Sequence, residues 1–159
     1  MESELGVFGS KIPERWLRLA PTAGEALLLA LHAAVTAIRA TAGLLHRVRE
    51  PFIGLVTSSA HGPPGTEAEL GQVIPRHDPA LALARERSVL LGGKTAGAAE
   101  RAIARRFSAC GDALVAVAMV PIFDGDSLLA MLELGRADHP FRRDDADVLQ
   151  TIAALVGLP

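Results

Sequence analysis

A chain of 159 residues, half of them hydrophobic and about a fifth charged, is long enough to bury a real core as one domain. A formal net charge of -2 creates no long-range field toward nucleic acid or an anionic membrane, which excludes both as partners. The single cysteine, Cys110, cannot close an internal disulfide, and a lone thiol suits a reducing, cytoplasmic setting.

The first residues lack the basic start and apolar stretch of a signal peptide. Residues 1–20 are predicted as an extension, with a short helix over 12–20 that offers Trp16, Leu17 and Leu19 for packing. Residues 21–159 are predicted as a single domain. Thr22 and Glu25 form a capping box for a helix over 23–39. Its most apolar window, 26–38, is too short to cross a bilayer, which takes about 20 residues. The helix is apolar nearly all round, so burial on more than one side is expected, with part of the cover supplied by a second chain.

Two strands follow at 43–50 and 52–59, joined by a turn at Glu50-Pro51, then a Gly- and Pro-rich surface loop over 60–71. Residues 72–76 read as extended before and around Pro75. Asp78-Pro79 supplies an N-cap and a first-turn proline for a helix ending near Arg87. An apolar strand at 88–93 stops at two glycines, and a helix over 95–107 carries the stripe Ala99, Ala102, Ile103 and Phe107. The next strand, 113–123, is apolar without alternation, so both its faces should be covered. Asp124-Gly125 predicts a hairpin to a strand at 127–135. A last helix follows Pro140-Phe141, with the stripe Val148, Leu149, Ile152, Leu155 and Val156. Asp144, Asp145 and Asp147 load its start with negative charge, and Gly157 stops it.

The ending 120–157 carries Val120-Pro121-Ile122, Asp124-Gly125, Met131-Leu132-Glu133-Leu134, Pro140-Phe141, and Asp145 with Leu149. This run resembles the C-terminal half of a GAF domain. It departs from the family pattern at Ala130, where a glycine is usual, and at Arg142, where a Ser or Thr cap is usual, leaving the capping to Asp144 or Asp145. Gly92-Gly93 stand where family members commonly carry an Asp. The resemblance implies an α+β fold: a central antiparallel sheet of about six strands with helices on both faces. It also implies a ligand pocket on one sheet face and a homodimer formed by helix bundling on the other.

On that basis His46, Arg76, His77, Asp78 and Thr95 are the pocket candidates. Leu27, Leu28, Leu31, Val35, Ile152 and Leu155 are the dimer-helix candidates. Arg101, Arg105 and Arg106 read as a solvated helix face, a candidate surface for a signalling protein partner. Gly92-Gly93-Lys94-Thr95 lacks the first glycine of a P-loop, which would have to stand at Ser88, and serves at most to rest an anion on a helix start. No His pair has metal-ligand spacing, so no metal is expected. His32, His46 and His77 remain open as single axial ligands, although no cofactor is expected. Cys110 stands beside Ala109 and Gly111 rather than beside a His as in bilin-binding relatives. The expected function is a non-catalytic, dimeric interaction module in bacterial-type signal transduction. A sensor of an apolar or weakly polar small molecule is the alternative. A methionine-sulfoxide-reductase-like enzyme comes third, since one thiol cannot both attack and resolve.

Overall fold

The structure is a computed structural model, and it describes residues 22–49 and 54–156. The predicted short helix over 12–20, the Glu50-Pro51 turn and the Gly157 stop lie outside the described residues. In chain order the elements are α1 (Ala23–Ala37), β1 (Ala42–Val48), β2 (Gly54–His61), a 3-10 turn (Thr66–Glu69), β3 (Val73–Pro75), α2 (Pro79–Arg85), β4 (Leu90–Gly93), α3 (Ala98–Arg106), a second 3-10 segment (Ser108–Ala113), β5 (Ala116–Asp124), β6 (Ser127–Arg136) and α4 (Arg143–Val156). The strands form one antiparallel sheet in the order β3-β2-β1-β6-β5-β4. The sixth strand, β3, is the extended stretch around Pro75, short and at an edge, where a residue without an N–H is tolerated.

The sheet is covered on both faces, which is why β5 and β6 show no polar alternation. Leu45, Val120, Ile122, Leu132 and Leu134 face α1 and α4. Leu44, Val117, Met119 and Met131 face α2 and α3. The local signals act as their chemistry requires. Thr22 Oγ1 accepts the Glu25 N–H at 3.1 Å. Gly125, at φ 60°, takes the first central position of the β5–β6 turn, where a side chain would be strained. At the start of α4, Asp145 Oδ2 accepts the Arg142 N–H at 2.7 Å, the back-bond of a capping box made without the hydroxyl of the family pattern.

Much of the apolar circumference of α1 is covered within the one chain. Within a single chain the sheet buries one side of the helix and α4 another. Leu27, Leu31, Val35, Ile152 and Leu155 are thus already buried without a second chain. Of the dimer-helix candidates only Leu28, 52% exposed, faces outward, on a stripe shared with Glu25, His32 and Thr36.

Close approach of α1 to β1 depends on Gly43. A Cβ there would lie 2.7 Å from Val35 Cγ2 and 2.9 Å from Leu31 Cδ1. Gly43→Ala is expected to lift α1 off the sheet and to destabilise the domain by about 1–3 kcal/mol, the usual cost of overpacking. Urea denaturation with an unchanged m-value would show it.

Candidate functional site

The chemistry-bearing side chains meet on the sheet face beneath α2 and α3. Glu133 stands on β6 opposite Leu44 of β1 and Met119 of β5, in the middle of the sheet, and is fully buried. A lone carboxylate there would cost several kcal/mol, so it must be paired. Arg106, the last residue of α3, supplies the main partner. Its Nε donates to Oε1 at 2.8 Å and its Nη2 to Oε2 at 2.5 Å, two parallel charge-assisted bonds. The Nη1–Nη2 edge of the same guanidinium donates to Asp78, at 2.8 Å to Oδ2 and 3.5 Å to Oδ1. Asp78 Oδ1 also accepts the N–H groups of Ala80 and Leu81, at 2.9 and 3.2 Å, as the N-cap of α2.

His46 completes the group from β1. Its Nε2 lies 2.7 Å from Glu133 Oε1, and its Nδ1 lies 2.8 Å from Thr57 Oγ1 on β2. A bulge sets up this second contact. Leu45 pairs with Ser59, but His46 pairs with Thr57, so Ser58 is the extra residue and Thr57 is carried opposite the imidazole. The Thr57 hydroxyl can donate to or accept from Nδ1, so neutral and protonated rings both keep two partners.

Burial alone would push the Glu133 carboxyl up. The positive charges of a protonated His46 and of Arg106 outweigh it and hold the group at about 2, against 4.5 for an ordinary carboxyl. Burial likewise opposes the Arg106 cation, but Glu133 and Asp78 outweigh that effect and raise its pKa.

The site thus brings together two of the five pocket candidates, His46 and Asp78, and leaves Arg76, His77 and Thr95 exposed. Arg101 and Arg105 are exposed on α3. Arg106 is a correction to the expected solvated face: its side chain is 13% exposed and turns inward, because Glu133 draws it there. The signal was present, since Ala99, Ala102, Ile103 and Arg106 follow the spacing of one helix face. Glu133 and Thr57 were not among the candidates. A lone carboxylate at an inward position of an apolar strand was the clue to Glu133, whereas the Ser58 bulge has no sequence signal.

Every polar group of this cluster is engaged. Both His46 nitrogens have partners, so neither is free to take an axial ligand position. Among the described residues no group of His, Cys, Asp and Glu is arranged to hold a metal. Burial raises the Cys110 thiol, which leaves less thiolate for nucleophilic work. At the start of α3 the Glu100 side chain folds over Gly92 and Gly97, where an added Cβ would lie within 2.8 Å of its carboxylate. The chain's own anion therefore occupies that helix start, while Lys94 Nζ donates to the Asp112 carbonyl at 3.3 Å. On the other side of the sheet a groove of about 280 Å³ runs between Phe123, Pro121 and Gly125 of the β5–β6 hairpin region, Arg87, and Ala153 and Ala154 of α4. Arg87 lies over the Phe123 ring at 3.9 Å.

The family profile of the GAF domain matches residues 22–158, and the chain belongs to that family. The GAF domain of a phosphoenolpyruvate-protein phosphotransferase from Coxiella burnetii superposes with a TM-score of 0.72 at 16% identity, covering 97% of this chain and 89% of that one. The corresponding domain from Acinetobacter gives 0.70 at 10% identity, with 98% and 89% covered. Free methionine-R-sulfoxide reductase from Neisseria meningitidis, determined with its substrate, gives 0.69 at 16% identity, with 96% and 83% covered. At these identities the likeness is one of fold. No curated protein matches the sequence.

The depressed Glu133 pKa fixes the sign of a pH dependence. Between 4.5 and about 2 the unfolded chain takes up a proton that the folded chain refuses. The stability this group contributes is therefore complete above 4.5 and is lost as pH falls toward 2. Glu133→Gln should flatten that stretch of the stability–pH curve. It should also cost about 3–5 kcal/mol at neutral pH, because Arg106 is left buried with one partner fewer. Urea titrations from pH 7 to pH 2.5 on both proteins would show both effects.

Proposed function

We propose that this GAF domain is a non-catalytic regulatory module that works by protein contact, as a homodimer and with a signalling partner, in bacterial-type cytoplasmic signal transduction. The observation that carries the reading is the saturated cluster of Glu133, Arg106, His46, Asp78 and Thr57. It fills the sheet face on which the family's ligands would sit, so the resting domain has its own side chains in the ligand's place. His46, Thr57 and Glu133 are buried, so a substrate has no access to them in this arrangement. The single raised thiol of Cys110 gives no support to a reductase-like cycle.

What remains available for contact is the outside of the two helical layers. Arg101 and Arg105 point outward from α3 and suit an acidic partner surface. Leu28 is the large apolar side chain exposed on α1 and suits a twofold contact between copies. No helix among the described residues is long and apolar enough to cross a membrane.

Native mass spectrometry of the purified protein tests the reading. A dimer of bare chains is expected, and Leu28→Glu should convert it to a monomer that keeps the circular dichroism spectrum of the fold, since that side chain contributes little to the monomer core, with a melting temperature lowered only by what the dimer contact contributed. A bare monomer would remove the dimer from the proposal. Extra mass that is lost on denaturation would instead favour the alternative, a small-molecule sensor.

A further inference from the structure

On the sheet face opposite Glu133, α1 rests on β1 and β6, and α4 on β5 and β4. β2 and β3 extend past α1. Leu55 and Ile74 pack into the core beneath α2 and α3, so strand alternation turns Val56 and Val73 to the α1 face. These two residues pair with each other, and Val56 pairs with Arg47 of β1, which makes one row across three strands. Val73 is 43% exposed, Val56 is half-buried and Arg47 is exposed. The start of α1 stands at the Arg47 end of the row, where a Cβ on Gly24 would lie 3.1 Å from Arg47 Nη1.

We propose that residues 12–20 fold back over this row as an intramolecular cover, with Trp16 seated on Val56 and Val73 beside Arg47. Those residues lie outside the described ones, and reach and chemistry both direct them here. Thr22 is extended, at φ -134° and ψ 157°, and Pro21 precedes it, so the segment does not run on into α1 as one helix. Trp16 stands six residues ahead of Thr22, a stretch that spans at most about 20 Å. The row from Arg47 to Val73 crosses two strand spacings, about 10 Å, so the indole can reach all of it. The helix predicted over 12–20 needs an apolar partner. Ile12, Trp16 and Leu19 recur at the spacing of one helical face, with Glu14 and Arg18 on the other side. Val56 and Val73 supply an apolar floor for that face, and the Arg47 guanidinium suits the face of an indole. Attachment to α1 keeps the segment at a high effective concentration over the row, an advantage that a second copy lacks. This inference is independent of the interaction reading above.

Trp16 is the one tryptophan of the chain, so its fluorescence reports on the contact without a label. In the native protein its emission is expected to lie to the blue of that in urea and to resist acrylamide quenching, at every protein concentration. Val73→Asp should return the emission most of the way to the denatured value and raise the quenching constant several-fold, with the far-ultraviolet circular dichroism unchanged. Val115→Asp, at a residue 39% exposed just before β5 and away from the row, should leave both readings alone. Methyl spectra give a second measurement that needs no change in the sheet. Trp16→Ala should move the Val56 and Val73 methyl signals, through loss of the ring current, and leave those of Val115 in place. Native emission equal to that in urea, emission that ignores Val73→Asp in a folded protein, or Val56 and Val73 signals that ignore Trp16→Ala would each overturn the proposal. So would a blue shift that disappears on dilution, which would make a second copy the occupant.

Discussion

A carboxylate in the centre of a six-stranded sheet dictates much of what surrounds it. Glu133 cannot reach water from β6, and its charge survives because a guanidinium and a hydrogen-bonding imidazole are brought to it. One comes from the neighbouring strand and fixes the His46 ring. The other comes from the end of α3 and fixes that helix over the sheet. Arg106 in turn has a second edge to satisfy, and it does so with the residue that starts α2. A single buried charge thus orders elements far apart in sequence, on a face that apolar packing alone would cover less specifically. Whether such a cluster adds net stability over a hydrophobic replacement is a separate matter; its clearest product here is a fixed arrangement.

The same arrangement separates this domain from a pocket waiting to be filled. A ligand site needs convergent polar groups with unused bonding capacity. Here the convergent groups exist, but their capacity is taken up internally. The sheet face is chemically rich and closed at once, and the groups still facing solvent are on the outer surfaces of the helices.

Local chemistry made the framework readable from the sequence. Thr22 before Glu25, Asp78 before Pro79 and Asp124 before Gly125 each mark a boundary by a mechanism that acts within a few residues. The unbroken apolar run of β5 revealed a strand covered on both faces. The site was only partly readable. His46 and Asp78 stood out as polar residues at inward or capping positions, but their partners are 87 and 28 residues away. Charge argues for solvent when no partner is visible, so Arg106 reads as a surface residue, although its helical position favours the core. The Thr57 contact depends on the Ser58 bulge, a shift in strand register with no local signature. For α1, apolar composition measured how much of the helix is buried and could not say what buries it.

Arg136 joins the two helices of the other layer at one corner. Its buried guanidinium donates to the Ile38 carbonyl at the end of α1 and to the Pro140 carbonyl just before α4. It also stacks on Phe141 at 4.3 Å and lies 3.7 Å from Asp145. The chain reaches this corner along α1 and leaves it along α4. The two helices are 15 and 14 residues long, about 22 and 21 Å at the α-helical rise. A side chain of β6 thus ties the end of the first described helix to the start of the last, so the two helices of this layer are placed by one guanidinium as well as by the core beneath them.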